Sequence, residues 1–200
     1  MTTSFGVNWD YRCPYARNVH EHVVTGLGAG SDWDVEFLPF SLSQMHVEED
    51  QPVAWDDPDK APDLLALQVG VAVRDRWPEA FREVHLALFT ARHDQARDIR
   101  EEAVLRQVLA HHGVHPDQVL AEVADGWPLD LVRKAHETAV SQYQIFGVPT
   151  FIVGDQAAFV RVMDRPQGDA DLAQATVERV LQLVGDHPEL NEVKHTTRRR

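Results

Sequence analysis

The stretch NWDYRCPYARNVHEHV, from Asn8 to Val23, holds the one cysteine of this 200-residue chain, Cys13. Pro14 follows it directly, where the short apolar run SFGVNWD (Ser4 to Asp10) gives way to helical spacing. A proline suits the first turn of a helix, because the N–H it lacks would have had no partner there. Gly26 or Gly28 in TGLGAG supplies the stop. The reading is strand, turn, helix, with a thiol at the helix start. Such a thiol faces unpaired backbone N–H groups at the positive end of the macrodipole, which can lower a cysteine pKa from about 8.5 to between about 3.5 and 7.5. Arg12, Arg17 and His20 are expected to add positive charge, and Asp10 to oppose it. The polar flanks YR and PYAR favour a reactive thiolate over an inert, buried cysteine that packs as a small hydrophobe.

Outward from this motif, DWDVEFLPFSL reads as a second strand with Val35, Phe37 and Pro39 on one side. Residues 44–63 are rich in acid and proline and form an expected junction. Helical patterns follow over 64–146. One carries Phe81, Val84, Leu88 and Ala91; the next carries Val104, Leu105, Val108 and Leu109 and ends at Gly113. A shorter helix closes at Gly126, and another with Val132, Ala135, Ala139 and Tyr143 is expected to run to Gly147. VPTFIVGDQAAFVRVM then reads as two short strands joined around Gly154 and Asp155. The last amphipathic helix turns Ala173, Val177, Val180, Leu181 and Val184 inward. A helical block between a βαβ half and a ββα half makes this an α/β fold of specific arrangement.

Three features in this order, CPYA at Cys13–Ala16, the all-helical middle and GVPT at Gly147–Thr150, resemble the DsbA-like branch of the thioredoxin fold. The resemblance implies a thioredoxin-like domain from residues 1–43 and 147–200, with a helical insertion domain at 64–146. It also implies a cis peptide between Val148 and Pro149 that faces Cys13. The backbone of Val148 would then pair with an extended peptide or peptide-like thiol, which is recognition by strand addition. Cys13 is the expected nucleophile, and the residues expected to meet the substrate or thiol are Trp9, Pro14, Tyr15, Arg17, Val148, Pro149 and Thr150. Trp9, just before the active-site turn, is expected to wall the groove.

Ala16 stands where dithiol members of that branch keep a second cysteine. A dithiol enzyme resolves its mixed disulfide with its own second sulfur, and no other cysteine exists in this chain. Autonomous oxidation of protein dithiols is therefore excluded. The expected function is thiol-based oxidoreduction through one cysteine, by a mixed disulfide with a substrate or a low-molecular-weight thiol. Glutathione and mycothiol are the candidate co-substrates, and no tightly bound cofactor is expected. Two alternatives stay open. One is a glutathione- or mycothiol-dependent transferase or isomerase, as in the 2-hydroxychromene-2-carboxylate isomerases and kappa-class glutathione transferases of the wider group, whose nucleophile position is typically serine. The other is a non-enzymatic peptide-binding module.

A net charge of −13 removes the electrostatic attraction that supplies most general nucleic-acid affinity, and Arg198–Arg200 is too short a run to reverse it. No run of about 18 apolar residues and no leader-like N-terminus is present, so a cytoplasmic protein without membrane partners is expected. A homodimer is compatible with all of this. The histidines at 20, 22, 111, 112 and 115 read as a solvated polar face, and no metal site is expected.

Overall fold

The computed structural model describes residues 2–195; the Arg198–Arg200 run lies outside them. Strand β1 (Thr3–Trp9) pairs in parallel with β2 (Trp33–Pro39), from Thr3 opposite Trp33 to Trp9 opposite Pro39, across helix α1 (Pro14–Gly28). On its other edge β1 meets β3 (Thr150–Val153) antiparallel, and β3 turns into β4 (Gln156–Phe159). Gly154 takes φ +60° in that two-residue turn, a value that favours glycine. The sheet order is β2-β1-β3-β4. Helix α8 (Ala170–Asp186) closes the chain, packed on α1, with Ala173, Val177, Val180, Leu181 and Val184 buried. Asp169 caps it by accepting the N–H of Leu172 (2.9 Å).

Between β2 and β3 lie the short α2 (Leu42–Met45), then α3 (Ala61–Arg76), α4 (Pro78–His93), α5 (Glu102–His111), α6 (Pro116–Ala124) and α7 (Trp127–Tyr143). Apolar periodicity exposes α4 and α5 but not α3. That helix is buried on several sides, through Leu64, Ala66, Leu67, Val69, Val71, Ala72 and Val73, so no single apolar stripe marks it. Its Gly70 faces Tyr11, and a Cβ there would collide with the Tyr11 hydroxyl. The close approach of α3 to the turn that carries Tyr11 and Cys13 thus requires glycine.

Helix α7 stops at Tyr143, four residues before the expected Gly147, with Gln144 left-handed (φ 54°) and the Ile145 N–H returning to the Ala139 carbonyl (3.2 Å). Ile145 is buried by this reversal. The inward stripe of α7 runs through Val132, His136 and Ala139, and the expected Ala135 and Tyr143 are only half-buried. No helix of the described residues is long and apolar enough to cross a membrane.

Candidate active site

The turn between β1 and α1 is closed by Cys13 N–H donating to the Asp10 carbonyl (3.0 Å). The Asp10 carboxylate accepts the N–H of Arg12 (2.8 Å) and, across the fold, the N–H of Leu42 at the start of α2 (2.9 Å). Cys13 is the N-cap of α1, and its Sγ accepts the Ala16 N–H (3.4 Å) in the way a serine oxygen would. The same thiol donates to the Val148 carbonyl (3.3 Å). The Val148–Pro149 peptide is cis.

Asn8, one residue before the end of β1, fixes the facing loop. Its amide donates to the Gly147 carbonyl (3.2 Å) and accepts the Thr150 N–H (2.6 Å), while the Thr150 hydroxyl donates to the same Gly147 carbonyl (2.9 Å). One buried side chain therefore clamps both ends of the Val148–Pro149 segment against the strand that leads to Cys13. The sequence signal for Asn8 is its polarity inside the apolar run Phe5–Trp9, since a buried amide needs partners.

Behind the thiol runs a buried polar chain whose proton positions follow from counting. The Asn8 carbonyl can only accept, so His20 Nε2 carries the proton and donates to it (3.0 Å). His20 Nδ1 then accepts from His85 Nε2 (2.9 Å), and His85 Nδ1 accepts from the Tyr11 hydroxyl (2.8 Å). Both imidazoles are neutral in this arrangement. Burial lowers His20 to about 4 and holds His85 well below its ordinary value. His93 of α4 donates to the Tyr11 carbonyl (2.9 Å). Helix α4 therefore grips the active-site turn by both the side chain and the main chain of Tyr11.

These facts correct four sequence expectations. Burial, the largest influence, pushes the Cys13 thiol up, although the Ala16 and Tyr15 N–H groups and Arg161 pull it down; Asp10 adds to the upward push. The three charges expected to help do not. Arg12 is paired with Asp63 (2.9 Å), Arg17 with Asp94, and His20 is neutral. Trp9 is fully buried among Tyr11, His20, Phe81 and His85, so it is core and walls no groove. His20 and His22 are buried as well, His22 donating to the Asp164 carbonyl (3.1 Å), and are no solvated face. The other three differ: His111 and His115 are exposed, and His112 is half-buried. No cluster of metal-ligating side chains occurs among the described residues.

Of the other expected contact residues, Pro14 is exposed, Tyr15 half-buried, and Val148, Pro149 and Thr150 buried against the thiol and Asn8. A surface depression of about 500 Å³, lined by Ser4, Gly6, Glu36, Tyr143 and Ile152 among others, does not include Cys13.

The chain matches the family model of the DSBA-like thioredoxin domain over residues 7–169. No curated protein sequence matches it significantly. Among solved structures it is similar to the cytosolic disulfide reductase DsbM from Pseudomonas aeruginosa with GSH, at 15% identity and a TM-score of 0.62, covering 90% of this chain and 100% of that one. DsbA from the same organism is 19% identical with a TM-score of 0.59, covering 90% and 84%. The oxidoreductase DsbA from Xylella fastidiosa is 16% identical with a TM-score of 0.56, covering 88% and 86%.

Proposed function

Because the chain belongs to the DSBA-like thioredoxin domain family, we propose that it is a thiol–disulfide oxidoreductase working through Cys13 alone. The observation that carries this reading is the sulfur's place at the N-cap of α1, between the Ala16 N–H and the Val148 carbonyl, with no second thiol in the chain. The proton on Cys13 leaves to solvent, and the thiolate is then held by main-chain N–H groups. It attacks a disulfide joining a substrate to a small thiol; a Cys13–thiol disulfide forms, the old S–S bond breaks, and the substrate leaves as thiolate. A second molecule of the small thiol attacks the new disulfide and restores Cys13. Glutathione or mycothiol fills this role in a cytoplasmic thiol pool, and extended ligands lie along the Val148 main chain beside Tyr15 and Thr150.

Intact mass spectrometry after incubation with each oxidised thiol tests the reading. One adduct is expected, located on Cys13 and released by excess free thiol. A protein that forms none under any of these conditions is not an exchange enzyme. A second reading, activation of a bound thiol cofactor for transfer or isomerisation, is favoured by one observation: burial keeps Cys13 protonated and thus able to donate a hydrogen bond. Cys13→Ser separates the two, because serine can still donate but cannot form the mixed disulfide. Retained turnover in that variant would select the second reading.

A further inference from the structure

Four arginines surround α1, and three are spoken for. Arg12 pairs with Asp63, Arg17 with Asp94, and Arg165 with Glu21 and Asp94. Arg161 is exposed and makes no ion pair among the described residues. Its position is nevertheless well fixed. The Val160 N–H donates to the Pro149 carbonyl (3.1 Å), and Asn18 of α1 donates to the carbonyls of Val162 and Met163 (both 3.0 Å). The strap from 160 to 163 is thus tied at one end to the Val148–Pro149 loop and at the other to α1, with Arg161 between the ties. The guanidinium lies 5.4 Å from the centre of the Tyr15 ring and 5.8 Å from that of Phe159.

Those rings belong to the edge of the reacting centre. Tyr15 is two residues beyond Cys13, and Phe159 sits opposite Thr150 in the β3–β4 register, next to Pro149. Phe146, 68% exposed, lies 5.4 Å from Phe159. An apolar shelf therefore extends from the sulfur, with one uncommitted cation at its rim. The chain as a whole carries −13, so its distant field repels anions, and a local guanidinium is what would let an acidic ligand dock there.

We propose that Arg161 selects the substrate of the Cys13 site by charge: it takes the carboxylate of a small acidic disulfide whose body lies over Tyr15 and Phe159 and whose sulfur meets Cys13. This rests on the exchange reading and deepens it, since it favours a carboxylate-bearing thiol such as glutathione over an uncharged one such as mycothiol. In the step itself the Cys13 thiolate attacks the nearer sulfur, the Cys13–S–S bond forms, the ligand's S–S bond breaks, and the other half departs as a carboxylate-bearing thiolate. The same guanidinium also draws the Cys13 thiol down against burial, so its loss slows exchange with every disulfide; charge selection must be read as a ratio.

Dithiodipropionate and its dimethyl ester share a skeleton and differ in charge, which makes them suitable probes. Rates of adduct formation on Cys13 are compared for the parent, Arg161→Gln and Arg161→Lys. The acid-to-ester rate ratio should fall roughly fivefold in Arg161→Gln, as expected for an exposed ion pair, be partly restored in Arg161→Lys, and in the parent shrink at high salt. An unchanged ratio, including the case in which both probes slow equally, overturns the assignment while leaving exchange at Cys13 intact. No adduct with either probe overturns the exchange reading and this assignment with it.

Discussion

Replacing His20 with glutamine tests whether the chain Tyr11–His85–His20–Asn8 is neutral and buried. Glutamine can keep both bonds, its carbonyl accepting from His85 and its amide donating to the Asn8 carbonyl, but it cannot titrate. In the fold His20 binds a proton only near pH 4, while in the unfolded chain it does so near 6.5. Between those values the unfolded state holds the proton and the folded state does not. Falling pH therefore favours unfolding: the stability is fully present above the unfolded value and is lost as pH drops through the window. For one histidine with this difference, going from about pH 7 to about pH 5 removes about 2 kcal/mol. The lowered value of His85 acts with the same sign, and removing His20 also relieves part of that lowering. Asp10, raised by burial, acts with the opposite sign but equally in both proteins. Urea unfolding followed by tryptophan fluorescence at the two pH values reads the effect. With slopes of about 1–3 kcal/mol per molar, the parent's midpoint should fall by roughly 1 M more than that of the variant. If the two midpoints fall in parallel, His20 is not a buried neutral base and the proton order deduced for the chain is wrong.

Two further outcomes follow from the site. Because burial pushes the Cys13 thiol up, its alkylation rate should rise about tenfold per pH unit from neutrality past pH 8 without levelling; a plateau at or below neutrality would show a thiol lowered as the helix terminus alone suggests. Asn8→Ala leaves the Thr150 N–H and one bond to the Gly147 carbonyl unanswered in a buried place, at about 1–3 kcal/mol per orphaned group, so both the melting temperature and the rate of adduct formation at Cys13 should drop; an unchanged rate in the folded variant would show that the clamp does not position the site.

The elements with one buried face were legible. α1, α4, α5 and α8 each show the helical period, and β1, buried on both faces, was legible as a short apolar run, whereas α3 is apolar on several sides and offers no phase to read. His20 was misread although the pattern held its signal, since it continues the stripe of Ala16, Val19 and Val23 at helical spacing on the inward face. Treating it as a surface residue followed residue type against position. His85, on which the sequence reading was silent, carries the same signal in the stripe of Phe81, Val84 and Leu88. The raised thiol was not legible, because it depends on contacts across the fold. Asp63 and Asp94 capture the arginines that flank Cys13, and Val148 covers the sulfur from 135 residues away. Arg161 lies farther still along the chain and comes near Tyr15 only because β4 returns beside the Pro149 loop.

On the proposed exchange reading, Ala16 would change the fate of the mixed disulfide more than its formation. Its contribution to Cys13 is the main-chain N–H, which any residue but proline at that helix position would supply, so the groups that would stabilise the thiolate are independent of the missing sulfur. What disappears is internal attack on the adduct, and release must come from a second thiol arriving from solution. Cys13 is only 8% exposed, with the Val148 carbonyl against its sulfur. With so little of the sulfur exposed, the proposed resolving thiol would approach over the same small exposed area as the first ligand, the side on which the proposal above places Tyr15 and Arg161. A small molecule can use that area twice in one cycle, while a folded protein would have to leave before a second could approach. On the exchange reading proposed above, a one-sulfur site is suited to resolution by a small thiol, and the charge requirement proposed at the rim would act on both halves of the exchange.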